Sequence, residues 1–144
     1  MANLVLAIDS FHEEYQRLPG GKIAQIDQTI TTAAKKGSPL MAALLGLKVA
    51  GNENPKFLSF FECQMAEEKK DGLERKEKTA NLFDPWGNPY HVLMNYDNNN
   101  QLLDPFDRNT ILFDRRALAW SKGPDGKSGT PETDRDNVYS WNRH

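Results

Sequence analysis

The sequence predicts an α+β domain. Helical periodicity marks its N-terminal part, and from Leu82 onward short strand-like runs alternate with tight-turn sequences. Helices first and short antiparallel strands after is the order of an α+β fold. A third observation sets the scale: 144 residues, 38 % hydrophobic and 26 % charged, fit one domain that can build a core without disulfides.

Leu4, Ile8, Phe11 and Tyr15 recur at spacings of four, three and four, which is one face of a helix. Ser10, Glu13, Glu14 and Arg17 fall between them as the wet face, and Leu18-Pro19-Gly20-Gly21 stops the helix. No capping residue precedes the pattern, so the helix reads as the remainder of a longer one. Residues 22–36 carry a weaker apolar pattern of no clear type. Ser38-Pro39 opens a second helix, with Ser as N-cap and Pro at the first helical position, running to about Leu47. Phe57 to Met65 is short, apolar and ambiguous, whereas Glu67 to Lys78, five acids and five bases, reads as a solvated loop or helix face.

The second half is read as strands. Tyr90 to Tyr96 is strand-like, and Asp97-Asn98-Asn99-Asn100 is a turn after which Gln101 to Phe106 is expected to pair back. Arg116 to Trp120 and Val138 to Trp141 are further strands. The organisation expected is therefore residues 1–18 as helix, 19–81 as a helical or variable region, and 82–144 as sheet and loop.

Charge and cysteine narrow the function classes. A formal net charge of −2 without a cationic cluster disfavours nucleic-acid binding, which needs a basic face. Cys63 is alone, and its apolar neighbours Phe60, Phe61 and Met65 predict a buried, inert thiol. No run approaches the roughly 20 apolar residues of a membrane span, so the chain as given is expected to be soluble. His12, His91 and His144 share no metal spacing, and no nucleophile elbow, phosphate loop or dinucleotide fingerprint occurs. Nothing recommends an enzyme.

Two motifs stand out. In Asp84-Pro85-Trp86-Gly87-Asn88-Pro89-Tyr90 the prolines fix φ and Gly87 permits a positive one, so the backbone turns tightly, with Trp86 expected to pack inward and pin the core. The second begins at Ser121-Lys122-Gly123-Pro124-Asp125-Gly126 and resumes at Asp134-Arg135-Asp136-Asn137-Val138-Tyr139-Ser140-Trp141. Calcium takes six to eight oxygen ligands, and Asp125, Asp134, Asp136, Asn137 and Ser140 supply oxygens from the two ends of one loop. The residues alone leave two readings open, a calcium site or a solvated surface loop. An EF-hand is excluded, since a loop from Asp97 has Leu102 and Arg108 where Gly and Glu are required, and one from Asp125 has Lys127 in its third place.

Taken together, Glu14 to Pro19 at the end of an amphipathic helix, Asp84 to Tyr90, Trp120 to Gly126 and Asp136 to Trp141 resemble, in order, the major pseudopilins of type II secretion systems. More broadly they are similar to type IV pilin-like proteins; residues 22–81 carry no part of the likeness. The resemblance implies a long N-terminal helix packed on a small antiparallel sheet, with a structural calcium loop near the C-terminus. It implies a non-catalytic subunit that polymerises with its own kind into a periplasmic filament, works with the secretion machinery, and is anchored in the inner membrane before assembly. Carried over, the calcium set is Asp125, Asp136, Asn137 and Ser140 by side chain and Lys122 by its carbonyl; Asp134 is an extra acid of this sequence, expected to compensate for a lost charge. The family's acidic pair is here Asp136-Asn137, one charge fewer, which predicts weaker binding. The family's cleavage motif and apolar N-terminal helix are absent from the given sequence, which is expected to be the soluble portion of a longer precursor. The alternatives are a minor pilin-like protein of adhesion or DNA uptake, and a secreted enzyme or carbohydrate-binding module using Trp86, Trp120 and Trp141 as a sugar platform.

Overall fold

A computed structural model describes residues 1–20, 26–49, 53–97, 99–127, 130 and 137–141. The element order is α1 (Ala2–Tyr15), β1 (Gln28–Thr31), α2 (Pro39–Leu45), β2 (Gly72–Arg75), β3 (Ala80–Phe83), β4 (His91–Met94), β5 (Gln101–Asp104), β6 (Asp107–Phe113), β7 (Ala117–Ser121) and β8 (Val138–Tyr139). The fold is α+β.

The apolar stripe of α1 is the one its spacing predicts: Leu4, Ile8 and Phe11 are buried, with Ala7 between them, and Tyr15 is partly buried against the same core. The helix ends when Gln16 turns left-handed and donates its N–H to the His12 carbonyl. At its start Met1 occupies the N-cap without a side-chain hydrogen bond. Helix α2 opens as its sequence dictates, the Ser38 hydroxyl accepting from Met41 N at 3.3 Å with Pro39 in the first turn. It stops at Gly46, whose φ of 67° and close approach to the Phe57 backbone leave no room for a Cβ.

Four strands form the main sheet in the order β1-β4-β7-β8, with every pairing antiparallel. Its two faces do different work because side chains alternate along each strand. Val92 and Met94 of β4, with Ala117 and Ala119 of β7, face the core shared with α1 and α2. Leu118 and Trp120 face the opposite way, into a second core with Leu102 and Trp141. The β5–β6 hairpin covers that second face, giving helix, sheet and hairpin in three layers.

The structure corrects several expectations. Residues 19–81 are not only helical or variable: they supply β1, an edge strand of the main sheet, and β2, which pairs with β3. The Glu67–Lys78 stretch thus contains a strand, with Leu73 the buried apolar residue that its high charge obscures. Thr32 is fully buried and ties the two sheets together, its hydroxyl accepting from Tyr90 N at 2.9 Å and donating to the Leu82 carbonyl at 2.8 Å. Gln101–Asp104 pairs forward with β6, not back with β4. The turn between them is fixed by Pro105 and by Asp104, whose Oδ1 accepts from Phe106 N at 2.8 Å. Cys63 is exposed, not buried: Phe61 reaches the core, but residues 62–65 that follow it all face solvent. Burial of its environment still raises the thiol pKa above the ordinary value.

Candidate functional site

The two sequence motifs meet in space. Asp84 directly follows β3 and is fully buried. Its Oδ1 accepts from Trp86 N at 3.0 Å and Asn88 N at 2.8 Å, closing the turn from within. Its Oδ2 accepts from the Ser121 hydroxyl at 2.7 Å. Ser121 is buried at the end of β7 and also accepts from Gly123 N at 3.1 Å, while Asn88 Nδ2 reaches the Gly123 carbonyl at 3.4 Å. The turn at 84–89 therefore holds the strand end from which the C-terminal loop departs. Sequence reading identified the turn but not this latch. Its signal was an Asp before Pro, two and four residues ahead of backbone donors, opposite a Ser with no solvent-facing role.

Trp86 does not pin the core: its ring is 41 % exposed on the outside of the turn. The inward anchor is Asp84, because a buried carboxylate with three donors needs no aromatic to hold the turn. The three-tryptophan platform also does not form. Trp120 and Trp141 are each 5 % exposed and stand at 86° to one another, packed edge-on within the second core. Trp141 Nε1 donates to the buried Asp104 Oδ2 at 3.0 Å. His91 stacks on Trp120 at 5.6 Å; burial, reinforced by the Lys122 charge and only partly opposed by Asp84, pulls its pKa down to about 4.

The loop ends are joined by backbone pairing. Trp120 pairs with Tyr139 and Ser121 with Val138; one residue further, the register places Lys122 opposite Asn137. The candidate ligands separate accordingly. Lys122 and Asn137 flank the loop mouth, and Asp125 lies exposed in the first turn of the loop, its Oδ1 accepting from Lys127 N at 2.9 Å. Asp134 and Asp136 lie outside the described residues. Ser140 is drawn elsewhere: its N–H donates to the Ala119 carbonyl at 2.8 Å and its hydroxyl accepts from Ala119 N at 2.9 Å. Ala119 is three residues before Lys122, on the order of 10 Å along the strand. Lys122, Asp125 and Asn137 offer the hard oxygens calcium takes, while the Ser140 hydroxyl is engaged with the Ala119 backbone. Among the described residues no group of three or more His, Cys, Asp and Glu side chains is placed to hold a metal.

No family model matches the chain, and neither a curated protein nor a solved structure matches it.

Proposed function

We propose that this chain is the soluble domain of a pseudopilin, a non-catalytic filament subunit of a type II secretion system. The observation that carries the reading is the contact between Asp84 and Ser121. Two of the four stretches that resemble the family are thereby one physical unit, in which the Asp84–Tyr90 turn braces the strand leading into the 123–136 loop. Support also comes from the amphipathic α1 lying on one face of an antiparallel sheet. In this reading the subunit's partners are copies of itself and the secretion machinery, and its place is the periplasmic side of the inner membrane.

Calcium belongs to the same proposal. The strand pairing already closes the loop mouth, so an ion's task is to order the loop interior through Asp125, Asp134 and Asp136, with the Lys122 carbonyl and Asn137 beside them. Its charge would offset the mutual repulsion of Asp125, Asp134 and Asp136.

Two measurements test the reading. Ligand at about a hundred times its dissociation constant adds roughly 2.7 kcal/mol to a fold that alone binds it. The melting temperature should therefore rise by several degrees in millimolar calcium over chelator, and Asp136→Ala should remove the rise. In cells, loss of this chain should leave exported proteins stranded in the periplasm; normal export without it would sink the secretion role.

A further inference from the structure

A cavity of about 580 Å³ lies away from the C-terminal loop. Edge strand β1 forms one side and α2 the other. Its floor is apolar: Ile30, Leu40, Ala42 and Val49 line it, with the ring of Tyr96 at one end. The Tyr96 hydroxyl is already engaged, donating to the Pro19 carbonyl at 2.6 Å.

The lining also carries positive charge. Lys36 and Lys78 both line the cavity and come from two turns locked against each other: a Cβ on Gly37 would sit 2.7 Å from the Thr79 Cβ. Neither ammonium has a carboxylate partner among the described residues. Glu53, the acid in the lining, is already engaged, receiving hydrogen bonds from Gly20 N and, at its carbonyl, from Arg17, whose Nη1 stands 3.6 Å from its carboxylate. The space thus pairs an apolar floor with unneutralised positive charge.

We propose that this cavity binds a small amphipathic anion, a hydrocarbon chain of about ten carbons ending in an oxyanion. Cavities of a few hundred Å3 with an apolar lining and few convergent polar groups are the usual form of small-molecule sites. The chain lies along Ile30, Ala42 and Val49, and the oxyanion meets Lys36 and Lys78. This goes beyond the filament reading, which requires no ligand, and its failure would leave that reading intact.

Calorimetric titration of the whole chain with decanoate, decyl phosphate and decanol tests it. Saturable one-to-one binding of either anion is expected, and the tighter one identifies the head group. Decanol should bind roughly fivefold more weakly, the size expected of two partly exposed charge contacts. Lys36→Gln with Lys78→Gln should bring the anion down to the decanol level, and Val49→Trp should abolish all three. Because Val49→Trp risks the fold, a nitroxide-labelled decanoate gives an independent reading: it should broaden the Ile30 and Val49 methyl signals selectively. Absence of saturable binding, equal affinity for decanol, or broadening spread over the surface would each overturn the proposal.

Discussion

The Ser121 hydroxyl donates to Asp84 Oδ2 at 2.7 Å, and neither side chain is in contact with solvent. A carboxylate so placed acts as a junction, with two backbone donors of its own turn on one oxygen and a neighbouring strand on the other. Removing it strands every donor at once, whereas removing Ser121 leaves the turn closed.

Asp84→Ala is therefore expected to cost about 2–3 kcal/mol and Ser121→Ala about 1 kcal/mol, since stranding buried donors costs more than losing one bond. Urea unfolding of both singles and the double should show the two effects to be less than additive. Full additivity would mean that the pair does not interact in solution.

Asn54 carries a second prediction. It is fully buried; its Nδ2 donates to the carbonyls of Ala43 and Leu58, and its Oδ1 accepts from Leu58 N and from the Tyr15 hydroxyl. One amide thus joins the ends of α1 and α2 to the chain that follows. Asn54→Ala should destabilise by about 3 kcal/mol, and Tyr15→Phe by about 1 kcal/mol. A change under 0.5 kcal/mol for Asn54→Ala would refute this clasp.

Trp120 and Trp141 make a controlled comparison. Both are buried, but Trp141 Nε1 donates to Asp104, whereas Trp120 Nε1 has no acceptor among the described residues. Replacement by Phe removes comparable surface from each. Trp141→Phe should cost about 1–2 kcal/mol more than Trp120→Phe, because only the former breaks a bond to a buried carboxylate. Equal costs in thermal or chemical unfolding would reject the assignment.

His91 sets an acid limb. Burial, aided by the Lys122 charge, holds its pKa at about 4 in the fold against 6.5 for the free side chain. The unfolded chain therefore binds more protons between those values, so His91 makes stability fall as pH drops from about 6.5 to about 4 and adds no slope below. His91→Gln should flatten that limb while leaving the profile above pH 7 parallel to the parent. An unchanged slope between pH 4 and 6.5 would show that other groups carry it.

The sequence and the structure agree where one periodicity dominates. Leu4, Ile8 and Phe11 announce α1, and Ser38-Pro39 announces α2, because capping and burial act locally there. Agreement fails where pairing is decided at a distance. In β6, Ile111, Leu112 and Phe113 are consecutive apolar residues of which only Leu112 turns toward the core, so no alternation was available to read. In β2 the flanking charges hid Leu73. The oxygen-bearing residues of the C-terminal loop are legible by their chemistry, but chemistry does not specify partners: the Ser140 hydroxyl accepts from Ala119 N, a contact that only strand pairing at a distance sets up. Trp86 misled for a related reason, since a turn needs an anchor and Asp84 supplies it without the ring.

Strand β7 is buried along its whole length, contributing Ala117 and Ala119 to the helical core and Leu118 and Trp120 to the aromatic one. A partition common to both cores allows neither to open alone. The β5–β6 hairpin cannot lift without wetting Leu118 and Trp120, and α1 cannot leave without wetting Ala117 and Ala119. Opening at either layer is thereby expected to expose a face of the same strand, which couples the unfolding of α1 to that of the aromatic layer.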